Sequence, residues 1–240
     1  MPPDSGAAPK TNTGEILAVR GLDVSYGLSK VLFGINLSVK PQQIVACVGR
    51  NGAGKSTLLK SIAGFLKPDS GSIHSGHTSL LGLPAYEIAR MGIKYVPQDK
   101  KVFSDLTVRE NLELGSFASK DYNWDRITGY FPKLTVLMDR KAGYLSGGER
   151  QMLMIGRALL GSPKVLLVDE PTEGLAPSIV SHLKEVLGEL SRNTALVLVE
   201  QNLPLVCELA SRVYAIKEGR IVAELADRES IKPEVCERHL

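Results

Sequence analysis

No stretch of this 240-residue sequence stays apolar for the roughly 20 residues that a membrane-spanning helix needs. Its apolar strings are short, as in Val165-Leu166-Leu167-Val168, so work at a membrane is expected to run through a partner. Cysteine is scarce: Cys47, Cys207 and Cys236 are odd in number and far apart. That excludes a disulfide framework or a zinc spacing, and it suits a reducing cytosol. His74 and His77 have no third or fourth ligand nearby and read as a surface turn. Blocks of like charge, heptads and internal repeats are missing as well. With a net charge of +3 and 23% charged residues, the chain does not read as a polyanion-coating protein or a coiled-coil arm. Residues 1–14 are polar and rich in Pro, Gly, Ser and Thr; they lack the apolar core of a signal peptide and read as a flexible tail.

What is present is ample material for a core, with 43% hydrophobic residues. Apolar stretches at about 16–19, 31–39, 43–48, 93–96, 165–169, 195–199, 212–217 and 220–224 predict strands. Helix-length segments lie at about 55–64, 107–115, 147–160, 178–191 and 203–210. Thr107 and Glu110 have the spacing of a capping box, and Glu218-Gly219-Arg220 reads as a turn between the last two strands. Strands come first and then alternate with helices, which predicts an α/β core with an antiparallel β layer. Residues 100–160 carry helical signals and almost no strand signal, as expected of a helical subdomain inserted in one domain over 15–240.

The chemistry begins at Gly49-Arg50-Asn51-Gly52-Ala53-Gly54-Lys55-Ser56, which matches G-x-x-x-x-G-K-[ST] between a predicted strand and a predicted helix. Glycines let successive backbone N–H groups curl around an anion, and the helix start adds unpaired donors and a favourable dipole. Gly49, Asn51, Gly52, Gly54, Lys55, Ser56 and Thr57 are therefore the expected nucleotide contacts. Lys55 would reach the β- and γ-phosphates, and the Ser56 hydroxyl would ligate Mg²⁺. Further on, an apolar strand ends in Asp169-Glu170. Asp169 is expected to hold the Mg²⁺ water shell. Glu170, pointing differently because side chains alternate along a strand, is expected to act as general base.

Leu145-Ser146-Gly147-Gly148-Glu149, just ahead of an apolar-rich helix, resembles the signature motif of the ATP-binding cassette (ABC) family. The resemblance runs from about Leu17 to Leu240 and implies a phosphate-loop ATPase core with an antiparallel layer and a helical subdomain. It also implies that Ser146, Gly147, Gly148 and Glu149 cover the γ-phosphate of ATP held by a second cassette. Tyr26 stands where the family stacks an aromatic on adenine. Gln98 stands where a glutamine touches Mg²⁺ and the attacking water and links the core to the helical insert. Two positions depart from the common pattern: Gln201 replaces a histidine that contacts the γ-phosphate, and Ala176 replaces an aspartate. Glutamine donates a hydrogen bond without a positive charge, so slower hydrolysis or greater dependence on Glu170 is expected.

The segments Glu170–Pro177 and Val199–Asn202 resemble the ATPase subunits of branched-chain amino acid importers, with urea and short-amide importers as the alternative. That resemblance implies a second ABC ATPase subunit (heterodimer favoured over homodimer), two membrane permeases, an indirect link to a solute-binding protein, and no nucleic acid. It places the chain peripherally at the cytoplasmic face of the inner membrane. Two readings of another class stand beside it. A non-hydrolysing regulatory cassette is kept open by Gln201 and opposed by intact Lys55, Asp169 and Glu170. A cassette acting on DNA or ribosomes is opposed by the missing coiled coil, second cassette and basic arm.

Overall fold

The structure, a computed structural model, describes residues 14–240, so the expected tail lies outside the described residues apart from Gly14. In chain order the elements begin with β1 (Leu17–Tyr26), β2 (Ser29–Val39), β3 (Ile44–Val48), α1 (Lys55–Ile62), β4 (Ser70–Ser75), β5 (Thr78–Ser79), α2 (Ala85–Arg90) and β6 (Ile93–Val96). The helical insert follows as α3 (Val108–Ser119), α4 (Asp125–Tyr130), α5 (Pro132–Thr135) and α6 (Gly147–Leu159). Then come β7 (Val165–Asp169), α7 (Pro177–Leu190), β8 (Ala195–Val199), α8 (Leu203–Leu209), β9 (Arg212–Lys217), β10 (Arg220–Leu225) and α9 (Pro233–Glu237).

Two sheets result. An antiparallel sheet has the order β2-β1-β4-β5, and a second sheet has the order β10-β9-β3-β8-β7-β6. In the second, β9, β3, β8, β7 and β6 are parallel, and β10 returns antiparallel to β9. Parallel strands need both faces covered, and the period of two along each strand divides the core accordingly. Ala46, Val48, Leu166, Val168, Leu196 and Leu198 turn toward the helices of the insert and α7. Val45, Cys47, Val165, Leu167, Val197 and Val199 turn toward α1 and the antiparallel sheet. Each buried Leu or Val contributes about 1.5–3 kcal/mol relative to exposure, which is why these strands read as unbroken apolar runs.

The expected helices agree with the observed ones to within a few residues at most ends, and Thr107 closes its capping box. Thr107 Oγ1 accepts from the Glu110 N–H at 3.2 Å, and the Glu110 carboxylate accepts from the Thr107 N–H at 2.7 Å. Two differences have clear causes. The strand expected at 16–19 runs on to Tyr26 because its pairing with β2 continues, through irregularities in register, to Tyr26–Ser29. β4 and β5 were not expected: Ser70–Ser75 holds one apolar residue, Ile73, and its strand form comes from pairing with β1.

A candidate nucleotide site at the carboxyl edge of the parallel sheet

Because β3, β6, β7 and β8 are parallel, the segments that follow them emerge at one sheet edge, where open α/β sheets bind ligands. Those segments carry the phosphate loop, Gln98, Glu170 and Gln201 respectively. The loop glycines have distinct reasons to be there. A Cβ on Gly49 would lie 2.3 Å from the Ile216 carbonyl oxygen, and Gly54 has φ +100° at the entry to α1.

Lys55 is 4% exposed, and its ammonium donates to the carbonyls of Gly49 at 2.7 Å and Arg50 at 3.0 Å. It therefore folds back along its own loop, with the Glu170 carboxylate 3.6 Å away. Ser56 Oγ donates to Asp169 Oδ1 at 3.0 Å, a pair of hard oxygens of the kind Mg²⁺ prefers. Burial pushes the Asp169 carboxyl above its ordinary range, opposed by hydrogen bonds from Ser56 and Tyr95. The Tyr95 hydroxyl donates to the other oxygen, Oδ2, at 2.9 Å, and burial raises the Tyr95 hydroxyl pKa in turn. Tyr95 was not singled out in the sequence; its only signal there was a polar hydroxyl within a short apolar strand.

Glu170 corrects one expectation. β7 ends at Asp169, so strand alternation does not aim Glu170; a left-handed backbone at φ 45° does. A non-glycine residue held at such a φ costs free energy, and such strain concentrates at functional sites. The turn brings the carboxylate under two amides. Gln98 Nε2 donates to Glu170 Oε2 at 3.0 Å, and Gln201 Nε2 donates to Glu170 Oε1 at 2.8 Å. Gln201 Nε2 also donates to Asn51 Oδ1 at 2.8 Å, joining the segment after β8 to the phosphate loop.

Sequence reasoning also missed Glu200, which is 2% exposed. Its carboxylate accepts from the Thr172 N–H at 3.0 Å, the Thr172 hydroxyl, and the N–H groups of Gln201 at 2.9 Å and Asn202 at 3.0 Å. One buried anion thus locks together the loops that carry Glu170 and Gln201. Glu200→Ala would strand those donors in the interior, at a cost of about 2–4 kcal/mol. A melting temperature lower by about 5–10 °C is expected in calorimetry, and an unchanged one would contradict this role.

The remaining expected residues take no part in the hydrogen bonds just described. Tyr26, at the end of β1, is 47% exposed. Ser146 and Glu149 close a capping box at the start of α6: Ser146 Oγ accepts from the Glu149 N–H at 3.3 Å, and Glu149 Oε2 accepts from the Ser146 N–H at 2.8 Å. Glu149 therefore serves its own helix start, and Gly147 and Gly148 form the first turn. Gly52 and Thr57 lie with Lys55 and Ser56 along the phosphate-loop cavity. No group of three or more potential metal ligands among His, Cys, Asp and Glu occurs among the described residues.

A glycine loop on a helix start, a buried lysine, a Ser–Asp oxygen pair and an amide-bound glutamate at one sheet edge define a phosphate-loop nucleotide cassette. The ABC transporter family model matches residues 32–173, and the chain belongs to that family as one of its ATP-hydrolysing cassettes. It is 45% identical over 202 residues to the high-affinity branched-chain amino acid transport ATP-binding protein BraG of Pseudomonas aeruginosa, covering 82% of this chain and 87% of BraG. It is 32% identical over 230 residues to the high-affinity branched-chain amino acid transport ATP-binding protein LivG of Escherichia coli K12, covering 87% of this chain and 90% of LivG. A nucleotide-free ATP-binding cassette from an ABC transporter superposes with TM-score 0.83 at 30% identity, covering 94% of this chain and 99% of that one. The ADP conformation of MJ1267, an ATP-binding cassette of an ABC transporter, superposes with TM-score 0.80 at 31% identity, covering 93% of this chain and 97% of that one.

Proposed function

We propose that this chain drives import of branched-chain amino acids by hydrolysing Mg-ATP between two cassettes at the cytoplasmic face of the inner membrane. The observation that carries the reading is the 45% identity to BraG across most of both chains. No described helix is long and apolar enough to cross a membrane, which fits passage of the solute through separate permease subunits. The favoured partner is a related but distinct cassette, with an identical copy as the alternative. A solute-binding protein presents the cargo on the far side.

In this reading Tyr26 stacks on adenine, and the phosphate-loop N–H groups and Lys55 hold the phosphates. Ser56, Asp169 and Gln98 hold Mg²⁺, which when bound neutralises charge on the phosphoryl oxygens. The hard oxygens of Ser56 and Asp169, 3.0 Å apart, fit that ion. Glu170 takes the proton of the attacking water, oriented by Gln98. Gln201 donates to the transferring group, and Ser146, Gly147, Gly148 and Glu149 of the other cassette cover it from the far side, the capping box of Ser146 and Glu149 leaving the Gly147 and Gly148 N–H groups at the helix start to face it. Closure around two nucleotides and reopening after hydrolysis move the permeases, since ATP binds the closed pair more tightly.

A groove between the core and the helical insert supports a permease contact. Lys60, Lys94, Lys101 and Arg157 line it beside Phe65 and Met154. Burial lowers the pKa of Lys94 and of Arg157, and Arg157 Nε is buried without a hydrogen-bond partner. A permease segment that carries a carboxylate would relieve both. The test is uptake into proteoliposomes that contain this cassette, its partner cassette, both permeases and the binding protein. ATP-dependent leucine accumulation is expected, while uptake of urea alone would reassign the cargo. Lys94→Glu is expected to keep ATP hydrolysis by the free cassettes and lower uptake at least about tenfold, as like charge repels the docking segment. Full uptake by that variant would remove the groove from the permease contact.

A further inference from the structure

Gln98 makes a second bond that the hydrolytic cycle above leaves unused. Its Nε2 donates to Glu173 Oε2 at 2.8 Å as well as to Glu170 Oε2 at 3.0 Å. An amide NH₂ has two hydrogens, and both are thereby engaged by carboxylates. Glu173 is exposed and lies in the loop between β7 and α7. Its backbone N–H donates to the Glu170 carbonyl at 3.3 Å, so the two acids belong to one turn. The Lys100 ammonium donates to the Glu173 carbonyl oxygen, adding a second tie between the same two segments. Gln98 and Lys100 open the path from β6 into the helical insert. The insert is therefore fastened to the catalytic turn by side chains on both sides of Asp99.

We propose that Glu173 is a positioning residue that acts through Gln98: it holds the amide in a resting position and restrains hydrolysis until the insert moves. This rests on the reading of Gln98 given above. The atom of Gln98 that would accept from water or meet a metal ion is the amide oxygen Oε1, and the Nε2 bond to Glu173 sets where Oε1 points, so swinging Oε1 to the reacting atoms breaks a bond that the charge of Glu173 strengthens. Glu170 cannot serve as this restraint, because it is needed at the reacting atoms. Glu173 only competes for the amide, and removing it takes away a competitor without removing a reactant. Permease docking against the insert shifts the segment at 98–100 and loosens the restraint, which ties turnover to transport.

The test measures ATP turnover against ATP concentration for the paired cassettes without permeases. Four variants are compared with wild type: Glu173→Ala, Glu173→Gln, Gln98→Ala, and Gln98→Ala combined with Glu173→Ala. Loss of one partly exposed charge-assisted bond is expected to raise kcat about threefold in Glu173→Ala, with KM changed less than about twofold. Glu173→Gln keeps a neutral acceptor and should fall between that variant and wild type. The rise should vanish when Gln98 is already alanine. Amide hydrogen exchange at residues 98–101 without nucleotide should be faster in Glu173→Ala, a readout that stands even where the Gln98 variants turn over too slowly to compare.

An unchanged or lowered kcat in Glu173→Ala, or an equal rise in the Gln98→Ala background, overturns the proposal. So does unchanged hydrogen exchange at 98–101. If Gln98→Ala alone leaves turnover intact, the role given to Gln98 in hydrolysis fails, and the restraint acting through it fails with it. That outcome is distinct from a silent Glu173.

Discussion

Glu170→Gln is expected to lower ATP turnover by about a thousandfold while ATP binding survives, the span a positioned general base supplies. The substitution keeps the volume of the side chain and one acceptor oxygen, so the left-handed turn at φ 45° and a bond from either Gln98 or Gln201 can persist. What is lost is the anion that takes a proton from water. The anion 3.6 Å from the Lys55 ammonium also goes, so the lysine gives up a competing partner for phosphate. ATP affinity should therefore be equal or tighter, and the nucleotide-bound cassette pair should accumulate because it cannot reset. Equilibrium binding of a fluorescent ATP analogue beside phosphate release separates the two effects. Turnover within tenfold of wild type would show that another group accepts the proton.

Lys55→Ala should fail earlier, at binding. The ammonium is 4% exposed and rests on the carbonyls of Gly49 and Arg50, so its desolvation is already met by the fold before ATP arrives. Phosphate then replaces neutral acceptors with anionic ones, which form stronger charge-assisted bonds. Truncating one side of a buried charged contact costs about 3 kcal/mol, or about a hundredfold in affinity. Turnover should fall below detection, since the same charge faces the transferring phosphoryl group. Calorimetric titration with ATP reads the affinity directly. An affinity within threefold of wild type would mean that the backbone N–H groups of the loop suffice to hold the phosphates. The pair of variants is diagnostic: Glu170→Gln separates chemistry from binding, and Lys55→Ala removes both.

The sequence carried much of this architecture wherever the forces are local. Glycines, a lysine and a serine at set spacing between an apolar strand and a helix can hardly form anything but an anion-binding loop. The buried strands declared themselves because both of their faces are covered. The capping box at Thr107 was legible because its two partners are three residues apart. Long-range partners were not legible. Ser70–Ser75 becomes a strand only because β1 offers an edge. Tyr95 meets Asp169 only because β6 lies beside β7, and Glu200 meets Thr172 only because β7 lies beside β8.

The sequence by itself determined the phosphate loop, the buried strands and longer helices, and the acids and amides able to act on a phosphate. Each depends on residue type and on neighbours a few positions away. Only the tertiary structure decided that Glu170 turns into the site through a left-handed backbone rather than by strand alternation. It alone decided that Gln98 and Gln201 converge on that carboxylate, and that Glu173 competes for one of them. The reason is physical: a hydrogen bond between residues 31 or 72 positions apart exists only once parallel strands have brought their carboxyl ends to one edge.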